Sequence, residues 1–128
     1  MDKKIISSAA ILGMIAIILG AFGAHALKAK LNIEALNSFE TGVKYQMYHA
    51  FFLLFIGTTG LLTEKQKRTL FYLTVSGVLL FSGSIYLLST RELTHIDIGK
   101  IGIITPIGGF LMIMAWLFLM LNILKKRA

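Results

Sequence analysis

The chain has 128 residues, no cysteine and a single proline; 56% of it is apolar, and its mean hydropathy is +0.78. Those values exclude an ordinary soluble domain, disulfide or thiol chemistry and cysteine-ligated metal, and they describe a membrane protein of single-domain size. The formal charge of +7 would suit nucleic acid, but the basic residues sit at the ends of apolar runs, where they face lipid headgroups.

Crossing a hydrocarbon layer of about 30 Å takes roughly 20 helical residues. Four stretches meet that length: Ile5 to Leu27, Thr41 to Leu62, Thr69 to Ser89 and Ile101 to Leu124. All are too continuously apolar for barrel strands. The predicted fold is an all-α polytopic membrane protein: one domain over 1–128, a compact antiparallel bundle of four transmembrane helices with a short amphipathic segment after the first span. On this topology eight basic and two acidic residues lie on one side, against five and four on the other. The positive-inside rule then predicts a multi-pass protein with both termini in the cytoplasm.

The start, Asp2-Lys3-Lys4 and an apolar run ending in Ala24-His25-Ala26, has the look of a secretory signal. The run is longer than an ordinary signal core, so it is read as a retained span. Ala9, Gly13, Ala16, Gly20 and Ala24 recur at helical spacing and allow close approach of another helix, within the bundle or in a homo-oligomer. From Lys28 to Glu40 the chain becomes mixed, with Leu36, Phe39 and Val43 beside Asn32, Glu34, Asn37 and Glu40. This predicts an amphipathic helix at the outer surface or an extension of the second span.

The second span opens with FETGVKYQMYHA, Phe39 to Ala50. At about 100° per residue, Glu40, Thr41, Lys44, Tyr45, Tyr48 and His49 fall within an arc of roughly 180°. Lys44, Tyr45 and Tyr48 suit a snorkelling lysine with interfacial tyrosines. His49 lies two turns inside the span, where an ionisable group faces protein or water rather than lipid.

A short polar connection, TEKQKR, makes the second and third spans antiparallel neighbours. The third is rich in small residues (Ser76, Gly77, Ser82, Gly83, Ser84) and ends near Tyr86. In the loop from Thr90 to Lys100, His95 and Asp97 are weak grounds for a metal pair. Thr105 before Pro106 reads as a helix start with a threonine cap, or else the fourth helix is continuous and kinked at Pro106. Trp116, well inside this span, is assigned to bundle packing. No internal repeat and no nucleotide-binding, zinc or nucleophile-elbow motif is present.

Alternating spans bring His25, Glu40, Lys44, Tyr45, Tyr48, His49, Tyr86, Ser89 and Thr105 to one outer layer, a polar cluster and the candidate ligand-binding site. At these residues the chain also resembles a family. GAFGAHAL (Gly20 to Leu27), FETGVKYQMYHA, GSIYLL (Gly83 to Leu88) and ITPIGG (Ile104 to Gly109), with Trp116 beyond, are similar to the small bacterial membrane proteins of the YwdK and YgdD type, a domain-of-unknown-function family. The resemblance implies a compact protein of the bacterial plasma membrane and brings no established activity, cofactor or catalytic residue. The favoured function is a noncatalytic module binding a lipid, a small ligand or a partner at the outer layer, with membrane lipids as its first partners. A small oligomeric transporter or channel is the alternative. An enzyme using His49 or His25 as base and Lys44 and Glu40 as supporting charges ranks last.

Overall fold

The computed structural model describes residues 1–94 and 101–126, and among them every regular element is helical. α1 (Asp2–Phe22) continues into a π-helical turn (Gly23–Leu27). α2 covers Ile33–Thr58 and α3 Glu64–Ser89; a single turn, α4 (Arg91–Thr94), follows α3, and a 3-10 turn (Ile101–Ile103) leads into α5 (Ile104–Lys125). Three stretches, Asp2–Leu27, Glu64–Ser89 and Ile101–Lys125, are long and apolar enough to cross a membrane. α2 equals α3 in length at 26 residues, but Glu34, Glu40, Lys44, Gln46 and His49 dilute its apolar content.

Local chemistry explains where the helices depart from the predicted bounds. The segment before Thr41 is no separate amphipathic element, because the Asn32 side chain accepts from the Ala35 N–H at 2.7 Å and starts α2 at Ile33. α3 begins before Thr69 because Thr63 and Gln66 form a reciprocal capping box, at 3.2 and 2.9 Å. α5 starts at Ile104, so Thr105 is not its cap. Pro106 falls within the first turn, where its missing N–H costs nothing, and the 3-10 turn replaces the continuous kinked helix. His95, Asp97 and the reading of them as a metal pair lie outside the described residues.

α1 packs on α2, α2 on α3 and α3 on α5. Small residues set the α1–α2 register. A Cβ on Gly13 would meet Ala50, one on Gly20 would meet Val43, and one on Gly57 would meet Ile5 and Ile6. The small-residue face of α1 is therefore turned to the chain's own α2. Gly77 and Gly108 bring α3 and α5 together so closely that a Cβ on Gly108 would lie 2.8 Å from the Gly77 carbonyl oxygen.

At the end where α1 and α3 both begin, Ile5, Leu53, Ile56 and Leu70 form the driest part of the core. There the buried Lys67 ammonium pairs with Asp2 at 3.0 Å. Nearby, Lys4 lies over the Phe71 and Tyr72 rings and donates to the Tyr72 hydroxyl at 3.2 Å. The opposite pattern marks the outside of α1 and α5, where Ile11, Ile15, Ile18, Phe110, Ile113 and Met120 are exposed. Side chains of that kind need lipid rather than water around them.

Candidate functional site

Phe39, Gly42, Gln46, His49, Leu53 and Ile56 recur every three or four residues along α2 and form its buried face. Two of them are polar, Gln46 at 4% and His49 at 3% exposure, so each needs partners. Gln46 Nε2 donates to the Leu12 carbonyl of α1 at 2.8 Å, and its Oε1 accepts from the Tyr86 hydroxyl of α3 at 2.7 Å. One turn away, Ser82 Oγ donates to the Gly42 carbonyl at 2.7 Å. Ser84 and Thr105 share a hydroxyl–hydroxyl bond of 2.5 Å that ties α3 to the start of α5.

His49 completes the network on the α5 side. Trp116 Nε1 donates to His49 Nε2 at 3.1 Å, and His49 Nδ1 lies 2.7 Å from the Tyr45 carbonyl. An indole N–H can only donate and a carbonyl can only accept, so the pattern assigns the proton to Nδ1 and leaves the imidazole neutral. Both ring nitrogens are thereby committed. The Trp116 ring also packs on Phe52, 4.4 Å between centroids, and edge-on to His49 at 6.1 Å. Satisfied networks in a low dielectric hold helices in one arrangement. The exception among the described residues is Thr74 Oγ1, fully buried and without a partner.

The nine residues assigned to one outer layer therefore divide. His49, Tyr86 and Thr105 join the inward network. Glu40, Lys44, Tyr45 and Tyr48 are exposed on the other side of α2, although the Tyr45 ring reaches Phe81 at 5.2 Å. His25 is exposed on the π turn, and Ser89 is buried, donating to the Ile85 carbonyl at 2.7 Å. The sequence reading left Gln46, Ser82 and Ser84 out of the candidate site and gave Trp116 no polar role. The signal for Gln46 was available, since it continues the Phe39, Gly42, His49, Leu53 spacing.

Beyond the network, at the end holding the start of α2, lies an open cleft of about 580 Å³. The first turns of α2 supply Glu34, Ala35 and Ser38; the end of α3 supplies Ile85, Leu88 and Ser89; Arg91 and Glu92 come from α4, and Thr105 and Pro106 from α5. Apolar side chains and polar groups line the cleft in about equal measure, three of the residues charged, a mixture that suits an amphiphilic molecule. Among the described residues no group of His, Asp and Glu is placed to hold a metal ion.

Residues 19–109 match the family model described as "Protein of unknown function (DUF423)". The chain is 42% identical to a UPF0382 membrane protein of Staphylococcus saprophyticus, over 96% of this chain and 98% of the relative. It is 38% identical to the UPF0382 membrane protein YwdK of Bacillus subtilis, with the same coverage. A UPF0382 membrane protein of Haemophilus influenzae is 34% identical over 100% of this chain and 99% of its own length. No solved structure matches.

Proposed function

This chain belongs to the DUF423 family of membrane proteins, whose description names no activity, and from that premise we propose a noncatalytic membrane module that binds a lipid or other small amphiphile in the outer cleft. The observation that carries this reading is the cleft itself, about 580 Å³ with Leu31, Ala35 and Leu88 beside Glu34, Arg91 and Glu92. A volume of a few hundred Å³ is typical of small-molecule sites, and the mixed lining suits a ligand with a polar head and an apolar body. Deeper along α2, the committed nitrogens of His49 leave no lone pair for general-base chemistry and favour a structural role over a catalytic one.

The reading includes α2 as a fourth span. α1 and α3 begin at the same end, where Asp2 meets Lys67, so a chain that crosses in α1 and again in α3 has to return through α2. On this reading that end, with both termini, faces the cytoplasmic side of the bacterial plasma membrane, and the basic residues around it support that orientation.

Native mass spectrometry of protein released directly from its membranes tests the proposal. A retained adduct is expected on the wild type, lost in Ala35→Trp, which fills the cleft, and kept in Ile113→Ala on the exposed face of α5. Absence of an adduct, or one indifferent to Ala35→Trp, would overturn it.

A further inference from the structure

The face of α2 turned away from its own chain is not the apolar surface that lipid requires. At 100° per residue, Glu40, Lys44, Tyr48, Phe51 and Phe55 lie within an arc of about 80°, and all five are exposed. The helix register gives their depth. Gly13 stands opposite Ala50 and Gly20 opposite Val43, so the middle of the Asp2–Leu27 stretch is level with Tyr48 and His49. At about 1.5 Å per residue, Lys44 lies roughly 6 Å and Glu40 roughly 12 Å outward of that level, both inside a hydrocarbon half-thickness of about 15 Å.

A lysine at that depth has to stretch to bring its ammonium near water, and charges facing lipid are costly enough that membrane proteins pair them. Glu40 and Lys44 are four apart in the order that favours a pair. Yet they make no ion pair with each other, and among the described residues the one ion pair is Lys67 with Asp2. The α1 face that would serve a small-residue contact is occupied by α2.

We propose that this face of α2 is the interface of a homodimer in which Lys44 of each copy pairs with Glu40 of the other. Two copies inserted in the same direction meet about a two-fold axis along the membrane normal, and such an interface must be self-complementary. One acid and one base a helical turn apart on the same face meet that requirement twice. Helical side chains lean toward their own N-terminus, so Lys44 is directed toward the level of Glu40, one turn of about 5.4 Å away. Deeper in, Tyr48, Phe51 and Phe55 meet their counterparts at the three- and four-residue spacing of parallel helix pairs. The inference rests on α2 being a span and not on what occupies the cleft.

The chain has no cysteine, so single-cysteine variants report directly. In native membranes, copper phenanthroline should cross-link Tyr48→Cys into a dimer and leave Ile113→Cys, exposed on α5, monomeric. In the Tyr48→Cys background, Glu40→Lys and Lys44→Glu should each lower the dimer yield about tenfold, as like charges face one another. Coexpression of the two should restore a mixed dimer, which an ion pair within one chain cannot do. The cross-link with native charges keeps the test independent of whether the charge variants fold.

Impermeant maleimide applied from outside separates the failures. Tyr48→Cys that neither labels nor cross-links would leave α2 a span and overturn the dimer. Labelling would show that α2 is not a span, and the dimer would fall with it. A cross-link to a different mass would assign the face to another protein and overturn the inference.

Discussion

At the level of single residues, His49 is the group that composition makes hardest to place, an ionisable ring deep in a helix. The structure turns that cost into specificity, because the ring accepts from Trp116 on α5 and faces the Tyr45 carbonyl within α2. The bond from Trp116 fixes the rotation of α5, which otherwise meets α2 through side chains such as Phe52. Trp116 is half exposed, on a face that lipid or detergent covers, so removing the imidazole leaves its N–H without a partner in an apolar surround, at a cost of up to about 1–3 kcal/mol. His49→Ala should therefore lower the melting temperature in detergent. Because Trp116 is the chain's single tryptophan, its emission should shift in the same variant. An unchanged melt and spectrum would show the bond to be dispensable. Thr74 is the contrasting case, a buried hydroxyl with no partner, for which the packing supplies no account.

Among the elements, the contact between α3 and α5 depends on backbone approach more than on side-chain volume. Gly108 faces the Gly77 carbonyl and the Leu80 backbone, and a methyl group there would sit 2.8 Å from both. Gly108→Ala should push the helices apart at a cost of about 1–3 kcal/mol or more. Gly83→Ala, on the same α3 but with nothing within 4 Å of its added Cβ, should be neutral or stabilising by up to about 1 kcal/mol. Thermal melts of the pair decide the matter, and equal destabilisation would refute the close-approach argument. The same elements show what a sequence can convey. Continuous apolar runs mark α1, α3 and α5 within a few residues, because apolarity over that length has few other uses in a short chain. The start of α2 is less legible, because it depends on one capping bond, donated by the Ala35 N–H to the Asn32 side chain. Rotation was the larger loss. A half-turn arc collects Glu40, Lys44, Tyr48 and His49 together, whereas neighbouring helices divide it, and only the spacing of Phe39, Gly42, Gln46 and His49 identifies the half that is buried. Of the predicted outer layer only Ser89 and Thr105 line the cleft, because its walls come from α2, α3, α4, the 3-10 turn and α5 together.

For the molecule as a whole, the decisive quantity is the parity of membrane crossings. Among the described residues α1, α3 and α5 are the helices apolar enough to be recognised as spans, and three crossings would leave the termini on opposite sides. The fold points the other way. Asp2 at the start of α1 holds Lys67 near the start of α3, and Ile123 at the end of α5 packs against the same core as Ile5 and Leu70. Both ends of the described chain thus lie at one pole, together with Lys3, Lys4, Lys65, Arg68, Lys125 and Lys126. On the proposed orientation this charged pole stays on the cytoplasmic side during insertion, and α2 keeps its first turns, with Glu34 and Ser38, at the other pole. In intact cells, impermeant maleimide should therefore label Ser38→Cys but neither Lys3→Cys nor Lys126→Cys, and all three should react once the membrane is permeabilised. Labelling of one terminus alone would mean an odd number of crossings and remove α2 from the membrane. Labelling of both termini and not Ser38→Cys would keep four crossings but invert the molecule. Four crossings with the basic pole inside is the outcome in which the polar face of α2 lies within the bilayer, where it has to be covered.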